Sequence, residues 1–134
     1  MTLVPDVYTL ASLGITTALT DSAQTAIEDL DGMTAVTIEA SFSYGSGGTT
    51  CKAWVQTSFD GGTTWRDIAE FDFTTATRVA VANLSGLLSK AVTAYAALTS
   101  EGVTDGVLGD RLRVKVTSTG TYVNTTLAVR ASVR

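Results

Sequence analysis

CKAWVQTSFDGGTTWRDIAEFDF, residues 51–73, carries two runs of alternating residues on either side of Asp60-Gly61-Gly62. Glycine accepts a positive φ at no steric cost, and an aspartate there bonds backbone N–H groups two residues on, so this punctuation predicts a β-hairpin. Trp54 and Trp65, the only tryptophans, stand one on each arm. On the first arm Cys51, Ala53 and Val55 are expected on one face and Trp54 on the other. On the second, Trp65, Ala69, Phe71 and Phe73 are expected to share a face opposite Arg66, Ile68, Glu70 and Asp72.

Strands are predicted outward from this hairpin. Residues 33–44, MTAVTIEASFSY, place Val36, Ile38, Ala40, Phe42 and Tyr44 on one face with period two. Gly45-Ser46-Gly47-Gly48 follows as a turn, which makes three antiparallel strands in a row. Residues 77–84 predict another strand with Val79 and Val81 inward. Residues 85–110 are irregular and read as a loop plus one strand, although Leu87, Leu88, Val92, Tyr95 and Leu98 also fit a short amphipathic helix. A closing hairpin is expected from Arg111–Ser118 through Thr119-Gly120 into residues 122–134, its last strand held by a neighbour.

The N-terminal part is thinner in signals. Residues 1–19 read as an extended arm with few anchors, and residues 20–30 offer a cap and helical spacing for no more than two turns. Asp29-Leu30-Asp31-Gly32 lacks the later acidic ligand of a calcium loop and reads as a turn into a strand. The expectation is therefore an all-β chain: an arm at residues 1–19 and one antiparallel β-sandwich, jelly-roll or immunoglobulin-like, at residues 20–134 with about seven or eight strands.

Composition narrows the chemistry. The 134 residues are 45% apolar and 16% charged, with one cysteine and no histidine. No internal disulfide and no soft-ligand set for zinc, copper or iron is available, and Cys51 is expected as a small buried hydrophobe. The start of the chain lacks a basic region before an apolar block, so neither a signal peptide nor a membrane span is expected. Asp67, Glu70 and Asp72 have no accompanying nucleophile and read as a solvated strand face, with Asp67 alternating away from the other two. No catalytic, cofactor-binding or metal residues are assigned, and no enzyme is expected.

Charge is unevenly spread. Residues 1–50 hold Asp6, Asp21, Glu28, Asp29, Asp31 and Glu39 and no base, whereas residues 111–134 hold Arg111, Arg113, Lys115, Arg130 and Arg134 and no acid. Without an aromatic-studded groove those bases make a weak case for nucleic acid. Head-to-tail contact between copies accounts for the asymmetry, with Leu3, Val4, Val7 and Leu10 of the arm and the five bases as intersubunit contacts.

Ser58, Asp60, Gly61, Gly62, Thr64 and Trp65 match the Asp-box pattern S-x-D-x-G-x-T-W of sialidases and related propellers. The resemblance implies a structural hairpin only, because the chain has one box and no arginine triad. More broadly, WVQTSFDGGTTWRDIAEFDF, GDRLRVKVTSTGTY and the closing LAVRASVR are similar to small β-sandwich virion proteins of tailed bacteriophages, capsid decoration (cement) proteins among them. That likeness implies a non-enzymatic subunit, assembled in the bacterial host cytoplasm, whose partners are its own copies and capsid, neck, tail or fibre-base proteins. From another class comes a carbohydrate-binding sandwich, with Trp54, Trp65, Tyr44, Tyr95 and Tyr122 as stacking candidates; aromatics beside a turn more commonly support the hairpin.

Overall fold

In a computed structural model, residues 4–134 are described and form an all-β, antiparallel sandwich. The strands in chain order are β1 (Asp6–Gly14), β2 (Ser22–Ala23), β3 (Ala35–Ser43), β4 (Ser46–Gly47), β5 (Thr50–Ser58) and β6 (Arg66–Phe73). They continue as β7 (Arg78–Ser85), β8 (Gly102–Val103), β9 (Arg111–Thr119), β10 (Tyr122–Val123) and β11 (Thr126–Val133). Seven strands of eight or nine residues make the frame, and four of two residues trim its edges and corners. One sheet has the order β1-β11-β3-β7, the other β2-β9-β5-β6-β8, and β10 pairs β4 between them.

Alternation decides the core. Val36, Ile38, Ala40 and Phe42 of β3 and Leu127, Val129, Ala131 and Val133 of β11 face Cys51, Ala53 and Val55 of β5, Ala69, Phe71 and Phe73 of β6, and Leu112, Val114 and Val116 of β9. Each such valine, leucine, isoleucine or phenylalanine contributes about 1.5–3 kcal/mol by leaving water. Phe42 and Phe73 stack with centroids 4.9 Å apart, and Tyr122 meets Phe42 edge-on at 5.6 Å, which ties the two sheets together at one end. Cys51 is fully buried, as its strand position predicts, and burial pushes its thiol up to about 12.

The central hairpin forms as expected: β5 pairs β6 from Cys51↔Phe73 to Thr57↔Arg66. The other two expected pairings do not form. β3 and β5 lie in opposite sheets, as do β9 and β11, so both glycine turns are crossings of the sandwich and not hairpins. At the first, Gly47 and Gly48 adopt φ of 71° and 68°, and a Cβ on Gly48 would run into the Tyr122 ring. The pairs Tyr122↔Gly47 and Val123↔Ser46 then clamp the two crossings together. Period-two alternation gives each strand a face but says nothing about which sheet it joins.

Two more expectations are corrected. Val79 and Val81 point outward, while Ala80, Ala82 and Leu84, opposite Ala40, Ile38 and Val36, face the core. Both alternating sets of β7 are apolar, so the pattern fixes a period without fixing its phase. Residues 20–30 form no helix; Gln24 N–H donates to Val114 O at 2.7 Å and Ile27 N–H to Leu112 O at 2.8 Å, spending their backbone on β9. Helices this short are marginal in water, and a free sheet edge outcompetes them.

The arm is extended, as read, but belongs to the sandwich. β1 pairs β11 from Asp6↔Val133 to Gly14↔Thr126, so the division at residue 19 does not separate an arm from the domain. A bulge between Thr9 and Ala11 inserts Leu10 and breaks the period, which is why the segment looked poor in anchors. Leu10, Ala11 and Ile15 are buried. β11 thus lies between β1 and β3, held on both sides as expected for the last strand.

Candidate functional site

The turn joining β5 to β6 is closed by its own side chains. Ser58 Oγ donates to Asp60 Oδ1 at 2.9 Å and accepts Gly62 N–H at 2.9 Å. Thr64 gives Asp60 both its hydroxyl, at 2.6 Å, and its N–H, at 2.9 Å. Led by the Thr64 hydroxyl, these donors hold the Asp60 carboxyl down at about 2. Gly61 and Gly62 have φ of 73° and 91°, and Trp65 Nε1 donates back to Gly62 O at 3.1 Å. All six residues singled out in the sequence therefore act in one structure, and both carboxylate oxygens of Asp60 take part in holding the turn.

From Trp65 a polar ladder crosses the outer face of the second sheet. The Arg113 guanidinium lies 4.4 Å from the Trp65 ring centre, and its Nε donates to Gln56 Oε1 at 2.8 Å. Gln56 Nε2 donates to Asp67 Oδ1 at 2.7 Å, and Asp67 Oδ2 accepts Leu98 N–H at 3.0 Å. Trp54 Nε1 donates to Leu98 O at 3.0 Å, with Lys115 Nζ 4.8 Å over its ring. Two contacts at Leu98 and one at Tyr95, whose hydroxyl accepts Asp67 N–H at 2.9 Å, pin the connection between β7 and β9 to this face.

The carboxylates stand differently from the sequence expectation. A bulge between Val55 and Gln56 pairs Val55 with Ala69 and Gln56 with Asp67, leaving Ile68 as the extra residue and turning Asp67 to the side of Glu70 and Asp72. Asp67 and Glu70 are buried at 2% and 1% exposure, so the face expected to be solvated lies beneath the pinned connection. Glu70 has no hydrogen-bond partner on either oxygen among the described residues, nor does Oδ1 of Asp72, and Lys52 Nζ approaches only to 3.9 Å. Burial first, and Asp72 second, raise the Glu70 carboxyl to about 7. Among the described residues no group of three or more histidine, cysteine, aspartate or glutamate side chains is placed to hold a metal ion.

The expected intersubunit residues are scattered. Leu3 lies outside the described residues; Val4 and Val7 are exposed, and Leu10 is in the core. The opposite charges of the two ends meet within one chain: Arg111 with Glu28 at 2.7 Å, Lys115 with Asp21 at 3.6 Å, and Arg130 with Glu39 at 3.9 Å. Arg113 is held by Trp65 and Gln56, while Arg134 is exposed and uses its backbone carbonyl to accept Thr34 and Ala35 N–H. Head-to-tail contact is therefore not needed to explain the charge asymmetry.

The aromatic platform for sugars is also occupied from within. Tyr44 and Tyr122 pack with Phe42, Trp54 lies under Lys115 and Trp65 under Arg113, and Arg66 sits 4.9 Å from the Tyr95 centroid.

The most exposed apolar surface lies in the connection itself. Residues 86–97 are exposed throughout, with Leu87 at 78%, Val92 at 105% and Tyr95 at 44%. Lys90 is the single charge in that stretch. Between this segment and β6 runs a groove of about 650 Å³, bordered by Phe59, Arg66, Tyr95, Leu98 and Val107. The sequence marks Leu87, Leu88, Val92, Tyr95 and Leu98 as an irregular apolar segment but not their exposure, because apolar residues without a period carry no face.

Fold and geometry define an antiparallel β-sandwich whose one elaborated turn holds shape and whose outer face carries an apolar, nearly uncharged connection. No family model, curated protein or solved structure was found to match the chain.

Proposed function

We propose that the chain is a non-enzymatic structural subunit of a tailed-phage particle, acting as a capsid decoration protein that stabilises the head through intersubunit contacts. The observation that carries this reading is the connection at residues 86–97, which presents Leu87, Leu88 and Val92 to solvent with one charge among twelve residues. Large apolar side chains exposed together in one short, nearly uncharged segment suit a surface that a partner covers. The likeness of the hairpin and closing strands to virion proteins supplies the class of partner. A turn closed by both oxygens of its carboxylate suits a part that keeps its shape in an assembly.

The test is co-sedimentation of the purified protein with isolated heads, tails and portal complexes of tailed phages, alongside a Leu87→Asp/Val92→Asp variant. Both side chains are solvent-exposed, so the variant is expected to retain the wild-type melting temperature. Saturable binding to heads, lost in the variant, is expected. Binding to tails or portals instead would overturn the head assignment and place the protein at the neck or tail; no binding to any part would overturn the reading.

A further inference from the structure

Among the described residues the two large sheets have four edges, and three are blunted. β1 is bulged at Leu10 and opens on Asp6, while β2 and β8 are only two residues long. Bulges, charges and very short strands are the usual means by which an edge avoids pairing with another chain. β7 has none of them: eight residues, no bulge against β3, and no ionisable side chain after Arg78. Arg78 itself is engaged by Glu101 at 2.6 Å.

The direction of the free backbone groups follows from the strand's two ends. Gly86 N–H donates to Thr34 O at 2.7 Å, toward β3, whereas Ser85 N–H donates to Asp105 Oδ1 at 2.8 Å, away from it. Because these directions alternate along an antiparallel strand, the N–H and C=O of Val79, Val81 and Asn83 face the open side. Val79 and Val81 are 59% and 69% exposed, and alongside them lies an open trough of about 410 Å³ reaching Phe71, Gly102 and Val103.

We propose that β7 is a strand-addition surface whose occupant is β7 of a second copy of this chain, paired antiparallel about a two-fold axis at Val81. That register sets Val81 against Val81 and Val79 against Asn83, each a pair that exchanges both backbone hydrogen bonds. It joins two four-stranded sheets into one of eight and brings no like charges together along the pairing. A head-to-tail alternative, β7 on β1, meets the bulge at Leu10 and fails to continue a ladder. A two-fold contact is self-complementary and closes at two copies, which an open apolar edge needs if it is not to propagate. The proposal is independent of the virion reading, since it concerns the free protein.

Sedimentation equilibrium of the intact chain tests it. Wild-type protein is expected to reach twice the 13.9 kDa chain mass. Val81→Pro removes an N–H that no bond among the described residues uses, and Val81→Lys places charge on the edge; each is expected to weaken dimerisation at least about tenfold, with an unchanged circular dichroism spectrum. Should the proline variant fail to fold, the lysine variant reads the same contact. Amide exchange at Val79, Val81 and Asn83 is expected to slow as concentration rises. Wild-type protein that remains monomeric at about 1 mM, or a dimer that persists in the folded lysine variant, would overturn the proposal.

Discussion

Replacing Glu70 by glutamine isolates a carboxyl that the fold buries without a hydrogen bond to either oxygen among the described residues. Its side chain is 0% exposed, its oxygens accept no hydrogen bond among the described residues, and the nearest cation stays 3.9 Å away. Burial raises the group from its ordinary 4.5 to about 7 in the folded protein, Asp72 adding to the rise. A carboxyl whose folded value lies above its unfolded value binds more protons folded than unfolded between the two, so stability falls as pH rises through that window. At about 1.4 kcal/mol per pH unit the whole effect is about 3 kcal/mol, of which about 2 kcal/mol is lost between pH 5.5 and 8.5.

Glutamine matches the protonated acid in shape and cannot ionise. Urea unfolding across pH 5.5–8.5 is therefore expected to show wild-type stability declining by that amount and the variant nearly level, with the variant the more stable at the alkaline end. The chain has no histidine to titrate in the same window. Asp60 and Glu101, both held at about 2, are ionised throughout it. Parallel profiles for the two proteins would refute the assignment of the slope to Glu70.

Three further outcomes are expected. Cys51, buried and with its thiol raised to about 12, stays unreactive to a disulfide reagent at pH 8 in folded protein and becomes labelled only in denaturant. Asp60→Ala removes the acceptor of both Thr64 donors, so the melting temperature falls and Thr64 amide exchange accelerates, while Thr64→Ser keeps both bonds and stays near wild type. Phe42→Ala, which empties the stack on Phe73 and Tyr122, costs about 3–5 kcal/mol by urea unfolding.

Much of the frame was legible because period two is strong wherever one set of alternating residues is apolar and the other polar. β3, β5, β9 and β11 read that way, and Asp60-Gly61-Gly62 set the register of the hairpin with its own side chains. The same rule failed where its premise failed. β7 is apolar on both sets, so its spacing leaves the phase open and the exposed Val79 and Val81 read as core. β1 and β6 each carry a bulge, and one added residue moved Leu10 and Asp67 off the faces their spacing suggested.

An all-β chain, the β5–β6 hairpin with its Ser58–Trp65 turn, a buried cysteine and the apolar faces of the regular strands are all legible in the residues alone. These depend on neighbours within a few residues, through side-chain alternation, positive-φ glycines and local hydrogen bonds. Folding alone sets β3 and β5, and β9 and β11, in opposite sheets, brings Asp21, Glu28 and Glu39 to Lys115, Arg111 and Arg130, and leaves β7 open. Those outcomes depend on which distant segments meet, and the contact Tyr122 makes with Gly48 or Asp21 with Lys115 leaves no mark on the local pattern of either.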